Sequence, residues 1–391
     1  KRDGLDHSSS SDPNEIKLFQ TYKENFFNIF HEKKKLLPNQ GEIINVQNLG
    51  VSFYTKKDFN KGQYLRIRNL EKRHPCIGLT DINIKKYLKK KLRKDIKEGD
   101  PITESLFFKQ ELSRGVLKTI NDLNFSIPIR PRDYDKINEH IPINNYELHL
   151  SYNDINEFKI TDFEINFLKK NSFSIHMPDY CDENTLVDFF SSNSLNKKKS
   201  EIILKKTIKI AYQIKKINHS KVNIIVSLAG LSNKIHRFTY YKKIKKLTED
   251  LKKKSINLLP QWLPVDAWYF GGNVKTEAFS NPKDLKFLKK IKLNICLDLS
   301  HYILSCNYYN YSLLKYFQKN VSIFKHYHVS DATGTDGEGV LIGKGEIIKS
   351  GLLDIILKDK HKVKVLETWQ GHLNGLSKFK EDINTIVKIL K

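Results

Sequence analysis

Leu293-Asn294-Ile295-Cys296-Leu297-Asp298-Leu299-Ser300-His301 runs an apolar strand-like segment into an aspartate and, three residues on, a histidine. The pattern returns in His326-Tyr327-His328-Val329-Ser330-Asp331, where an apolar run closes on His328 and Asp331. It returns again at 363–366, which closes on Glu367. Carboxylates and imidazoles delivered one strand at a time are what a mononuclear metal site at the mouth of a (β/α)8 barrel requires.

Working outward, short apolar runs occur at 125–129, 146–150, 173–176, 222–228, 256–259, 293–299, 323–329 and 363–366. Most are separated by lysine-rich stretches of helical period, such as 202–217 and 285–291. Eight strands with intervening helices, assigned to residues 120–391, have the size of one (β/α)8 barrel. A doubly wound open sheet is disfavoured because no glycine-rich fingerprint follows the first strand.

Upstream, Asp12 and Pro13 open an amphipathic helix over 12–34, with Ile16, Phe19, Tyr22, Phe26 and Phe30 at three- and four-residue steps. Pro38-Asn39-Gln40-Gly41 reads as a linker. A repeat follows: Lys57-Asp58-Phe59-Asn60-Lys61-Gly62 returns as Lys94-Asp95-Ile96-Lys97-Glu98-Gly99, with apolar Leu65 and Ile102 behind the two copies. Two copies of a charged strand end and a glycine turn suit a small pseudo-symmetric β domain over 45–107.

The net charge of +24 is compatible with an anionic partner. The runs 85–94 and 242–254 hold only one aromatic, Tyr87, so they read as solvated helix faces rather than a base-stacking groove, and nucleic acid is not the expected partner. Four cysteines without CxxC spacing argue against a disulfide framework and a structural zinc site, and suit a reducing cytoplasm. No apolar run approaches a membrane span. The chain begins at Lys1 and holds one methionine, Met177, so it is expected to start inside a longer protein.

At the strand ends, His149 follows the second run, His176 the third, Gln261 the fifth, Asp298 and His301 the sixth, His328 and Asp331 the seventh, and Glu367 the eighth. Two carboxylates and an imidazole suit Mn²⁺, Mg²⁺, Co²⁺ or Zn²⁺ with positions open for the vicinal oxygens of a sugar. A buried histidine such as His149 also has an ordinary role as a satisfied core residue. Four ionisable groups ending three successive strands would be expensive without partners.

Residues 124–391 resemble the xylose isomerase-like barrel family, which embraces sugar isomerases, epimerases and endonuclease IV. Asp298-Leu299-Ser300-His301 is similar to its DxxH, and His326-Tyr327-His328-Val329-Ser330-Asp331 to its HxHxSD. Asp336-Gly337-Glu338-Gly339 through Ile342-Gly343-Lys344-Gly345 resembles the loop after that strand. The resemblance implies metal binding by Asp298, His328 and Glu367, catalysis by Glu367, and substrate contacts from His176 and His301. The fifth strand departs from it. Gln261 stands where sugar epimerases carry a glutamate, and a glutamine can ligate but cannot accept a proton as a carboxylate does.

The first hundred residues resemble the C-terminal part of the N-acetylneuraminate (sialic acid) synthase family. Arg2-Asp3-Gly4-Leu5-Asp6-His7 is similar to the end of its catalytic barrel, which assigns residues 1–36 to a barrel remnant. Lys72-Arg73-His74-Pro75-Cys76-Ile77-Gly78 and Lys94–Ile102 are similar to its antifreeze-like (SAF) domain. The resemblance implies that Asp6 and Arg73 contact an amino sugar, that the SAF domain supports a homodimer, and that phosphoenolpyruvate is used only by the full-length protein.

The expected function is therefore a sialic acid synthase-type enzyme fused to a metal-dependent sugar or sugar-phosphate isomerase-like barrel. An endonuclease IV-type nuclease and a non-catalytic sugar-binding module are the alternatives.

Overall fold

The computed structural model describes residues 10–29, 40–107, 111–229, 235–269 and 272–390. The chain divides into two compact units, Lys1–Pro38 and Asn39–Lys391. The smaller unit contributes one described helix, Pro13–Ile29. Asp12 caps it: Oδ1 accepts the backbone N–H groups of Asn14 and Glu15, and Glu15 Oε2 accepts the Asp12 N–H. Ile16, Phe19 and Tyr22 along it are exposed. Asp6 lies outside the described residues.

The larger unit is built on eight parallel strands: β1 (Phe125–Ile129), β2 (Asn145–His149), β3 (Ser172–His176), β4 (Asn223–Val226), β5 (Asn257–Pro260), β6 (Ile295–Asp298), β7 (Phe324–Val329) and β8 (Lys364–Leu366). Each pairs with the next except β5 with β6, and β8 pairs with β1. A parallel bridge between Gln261 and Cys296 links β5 to β6, with the Trp262 N–H donating to the Cys296 carbonyl at 2.9 Å. The expected eight-stranded barrel is therefore present. Its first helix, Arg114–Asp122, begins before the expected boundary at residue 120.

The intervening helices bury one stripe each and leave lysine outside. In Ser194–Asn218, Asn193 caps the start through the N–H groups of Leu195 and Asn196. Ile203, Leu204, Thr207, Ile210, Ala211 and Ile214 face the barrel at three- and four-residue spacing, while Lys205, Lys206 and Lys209 are exposed. At the barrel's base, Lys364 is fully buried and donates to the carbonyls of Leu123 and Lys362 at 2.9 Å and to that of Asp359. The ammonium thereby satisfies carbonyls that the strand ladder leaves over.

Residues 52–107 form a small lobe with its own core of Phe53, Phe59, Leu65, Ile96, Ile102 and neighbours. Its regular β structure is one pair, Ser52–Thr55 with Leu70–Arg73, and the rest is held by isolated bridges, so it is poorer in strands than a β-rich domain. The repeat is realised as a pseudo-two-fold axis. Phe59 and Ile96, at equivalent places, exchange both backbone hydrogen bonds, at 3.0 and 2.9 Å. Asp58 Oδ1 accepts the Glu98 N–H, and Asp95 Oδ1 accepts the N–H of Lys61, the equivalent of Glu98. Gly62 and Gly99 close the two turns at φ +90° and +81°, a region that favours glycine. The Arg73 guanidinium pairs with Glu71 on the lobe's hairpin and does not line the barrel cavity.

Between the units' boundary and this lobe, Gln40–Leu49 forms a helix where Gln40 and Gly41 were expected in a linker. Gly41 lies so close to the Trp268 ring that a Cβ there would sit 2.5 Å from Cη2. Ile44 lines the barrel cavity. The helix is made by tertiary packing, which a reading of its glycine and proline neighbours misses.

Candidate metal centre

At the C-terminal ends of the strands lies a cavity of about 610 Å³. His149, His176, Gln261, Asp298, His301 and Glu367 line it, together with Trp268, Arg130 and Arg132. The expected barrel residues thus converge on one mouth, with His328 directly behind them and fully buried. Arg73 stays on the lobe.

Local structure accounts for each placement. Asp298 ends β6 and caps the helix Leu299–Tyr308, with Oδ1 accepting the His301 N–H at 3.0 Å. The i, i+3 spacing of the motif is therefore a cap and the third helical residue. It leaves Asp298 Oδ2 for the mouth, 3.2 Å from Gln261 Nε2. Ser300 accepts the Gly339 N–H at 3.0 Å, which fixes the hairpin arm Gly337–Val340 and carries Glu338 to 3.1 Å from His301 Nε2. The Trp262 carbonyl holds His301 Nδ1 at 2.9 Å. Burial opposes charge on His301, but the Asp298 and Glu338 carboxylates outweigh it and raise the imidazole to about 10.

Asp331 serves the scaffold. Its two oxygens accept the N–H groups of Gly343, Gly345, Glu346 and Ile347, at 2.7–2.9 Å. A Cβ on Gly345 would lie 2.1 Å from the Ala332 carbonyl, so only glycine lets the loop wrap this carboxylate.

Gln261 sits at the centre of the mouth. Its Oε1 is 2.8 Å from His176 Nε2 and accepts the Ser227 hydroxyl at 2.9 Å. Its Nε2 is 3.1 Å from His328 Nδ1. The carbonyl expected to ligate a metal is thus already engaged by two neighbours.

One residue absent from the expected set organises the rest. Glu147 on β2 is fully buried, with His149 Nε2 at 2.8 Å, His326 Nε2 at 2.9 Å, His328 Nε2 at 3.1 Å and the Ser174 hydroxyl at 2.6 Å. Burial alone would raise its carboxyl, but His328, His149 and His326 hold it well below the ordinary range. The available signal was period two: Glu147 and His149 alternate with Tyr146 and Leu148, which puts both polar groups on the inward face.

The donors fit a divalent ion. His328 Nδ1 and Glu367 Oε2 are 2.7 Å apart, yet Glu367 Oε2 is buried without a hydrogen-bond partner. Two ligand atoms aimed at a common point have that relationship. Donor atoms of His176, His328 and Glu367 lie within 4.8 Å of one another, and Asp298 Oδ2 is 3.8 Å from His328 Nδ1. Nitrogen and oxygen donors in this mixture suit Mn²⁺, Mg²⁺, Co²⁺ or Zn²⁺. Burial, with the Glu367 carboxylate adding to it, pushes Asp298 up to about 7 against the opposing pull of His301 and His328.

Fold and site together define a (β/α)8 barrel with a metal-capable mouth. No family model matches the chain, and no curated protein matches it in sequence. Solved structures similar in chain path include a D-tagatose 3-epimerase-like protein, at 15% identity over 68% of this chain and 99% of that one, with a TM-score of 0.46. The probable 3-DHS dehydratase AsbF of Bacillus anthracis is 17% identical over 68% and 98%, with a TM-score of 0.47. A 3-keto-D-glucoside 4-epimerase from E. coli is 12% identical over 68% and 99%, with a TM-score of 0.45. At these identities the function rests on the site itself.

Proposed function

We propose that the barrel is a metal-dependent sugar or sugar-phosphate isomerase or epimerase that works with one base. The observation that carries this reading is the convergence of Asp298, His328 and Glu367 on one point of an open, sugar-sized cavity. His328 through Nδ1, Glu367 through Oε2 and Asp298 through Oδ2 would hold the cation, with His176 within reach. A divalent ion held there would supply the Lewis acidity that polarises a substrate carbonyl and acidifies the proton on the adjacent carbon.

Glu367 Oε1, on the side of the carboxylate away from His328, takes that proton and returns it. It lies 3.9 Å from His149 Nδ1, which with Glu147 behind it steadies the carboxylate. His176 and His301 orient substrate hydroxyls. Arg130 and Arg132 line the cavity, each paired with an aspartate, and suit an anionic substituent such as a phosphate. Gln261 offers no second base, so the proton leaves and returns on one face of the substrate, which carries it between neighbouring carbons in an aldose–ketose isomerisation; an epimerisation would need the enediolate to turn over between the two steps.

Residues 1–36 and 45–107 are read as the end of a sialic acid synthase barrel and its SAF domain. The motifs around Asp6 and Arg73 and the lobe's pseudo-symmetry support that reading. On that reading, Asp6 and Arg73 would contact an amino sugar and the lobe would pair two chains. A nuclease is the second reading. It is favoured by His149, His176 and His328 standing with ring centroids 4.9–6.1 Å apart beneath a strongly basic chain.

The test is solvent exchange. The Mn²⁺-loaded protein is incubated in D₂O with aldoses, ketoses, their phosphates and N-acetylated amino sugars, and carbon-bound proton signals are followed by NMR. Exchange or interconversion of one of them, reduced about 10²-fold or more in Glu367→Gln, is expected. Binding without exchange across the panel refutes the enzyme and favours a sugar-binding module. Cleavage of abasic duplex DNA favours the nuclease.

A further inference from the structure

Beneath the mouth, the barrel holds a second layer of donors that the sugar chemistry does not use. Residues two apart on a strand share a face. The register sets Asp298 beside His328 and, one step deeper, Cys296 beside His326. Cys296, His326 and His328 are all 0% exposed. Glu147 enters the same layer from β2, with Oε2 2.9 Å from His326 Nε2 and Oε1 3.1 Å from His328 Nε2.

Donor atoms of Cys296, His326 and His328 lie within 4.8 Å of one another. Both ring nitrogens of His326, and Nε2 of His328, are buried without a hydrogen bond. Buried imidazole nitrogens left without hydrogen bonds beside a carboxylate are expensive for a protein to keep. Cys296, His326 and His328 supply a thiol and two imidazoles, and Glu147, beside both imidazoles, is the candidate fourth donor. Thiolate with imidazole selects Zn²⁺ or a similar borderline-soft ion over Mg²⁺ and Ca²⁺.

We propose that Cys296, His326, His328 and Glu147 form a second, buried site for a borderline-soft divalent cation such as Zn²⁺, directly beneath the mouth. Zn–S and Zn–N distances of about 2.3 and 2.0–2.1 Å are the values to be expected there. The Cys296 thiol gives up its proton to solvent on binding. With both levels filled, His328 would offer Nδ1 to the mouth and Nε2 to the buried site, its ring protons passing to solvent. The site does not depend on the isomerase reading, since Cys296 and His326 take no part at the mouth.

The test uses the full chain, stripped with a chelator and titrated with Co²⁺ while absorbance and equivalents bound are followed. Two equivalents are expected, one of them bringing the near-ultraviolet thiolate-to-cobalt charge-transfer band. Cys296→Ser should abolish the band and one equivalent and keep the other. Cys76→Ser, at the one thiol of the four that is not buried, should leave the band intact. Should Cys296→Ser fail to fold by circular dichroism, His326→Asn replaces it, with loss of one equivalent expected. A single equivalent without a thiolate band in the folded parent overturns the proposal. So does a band that survives Cys296→Ser, or an undiminished two equivalents in His326→Asn.

Discussion

Glu147 Oε1 stands 3.1 Å from His328 Nε2, while the opposite nitrogen of the same ring stands 2.7 Å from Glu367 Oε2. One imidazole is held between a carboxylate sealed in the barrel and one that opens to the cavity. The inner carboxylate joins Cys296 and Glu367 in favouring charge on the ring and faces the nitrogen turned away from the mouth. Glu147→Gln should therefore weaken Mn²⁺ binding about 10–100-fold, the usual effect of losing a group that orients a ligand. It should also lower the melting temperature, because His149, His326 and His328 lose the carboxylate that all three face. Calorimetric titration and thermal denaturation check the two effects separately.

Gln261→Glu places a carboxylate beside Asp298, where the amide nitrogen now stands 3.2 Å from Oδ2. In chelator the variant should be less stable by about 1–3 kcal/mol, since a donor becomes a like charge. The stabilisation gained on adding Mn²⁺ should exceed that of the parent. An unchanged Mn²⁺ increment in melting temperature would remove position 261 from the metal's surroundings.

Asp382 is buried behind the mouth, where it accepts the Ile342 N–H at 2.8 Å and bonds the Thr368 hydroxyl. Burial raises its carboxyl to about 7. The folded chain thus holds this proton where the unfolded chain has lost it. The stabilisation is complete below the unfolded value of 3.8 and is lost as pH rises through about 7. Asp382→Asn keeps an acceptor for Ile342 and gains a donor for Thr368. Denaturant melts between about pH 5 and pH 8 should show the parent weakening by at most about 1.4 kcal/mol per unit from this group, with a flatter profile in the variant.

Gly62→Ala and Gly99→Ala report on the lobe's symmetry. A Cβ at Gly62 meets nothing within 4 Å, and one at Gly99 meets only the end of Arg73 at 3.7 Å. The penalty is then the left-handed backbone alone, about 1–2 kcal/mol at each site. The two variants should lose equal stability in urea denaturation. A large inequality would mean that the two halves of the lobe are not energetically equivalent.

Much of the barrel was legible because its signals are local. Alternating strands and helices set all eight strands, and Asp298, His301, His328 and Glu367 announce themselves by ending apolar runs. The repeat from Lys57 and Lys94 is likewise written in consecutive residues. Glu147 was not legible. It sits inside a run that reads as apolar, and its importance comes from His149, His326 and His328, which reach it from β2 and β7. Cys296 was discounted because cysteine spacing along the chain says nothing of a histidine on the neighbouring strand. The helix Gln40–Leu49 depends on Trp268 as a surface to pack on.

By itself, then, the order of residues determines which groups arrive at strand ends, because a period of two or of 3.6 is a property of neighbours in sequence. Which of those groups share a proton, a hydrogen bond or a cation was decided only in three dimensions. Barrel closure through the Gln261–Cys296 bridge brings β5 and β6 together, and strand register then stacks Cys296 and His326 below Asp298 and His328. Charges separated by many residues come within about 3 Å in a medium that screens them weakly, so their ionisation follows from the fold.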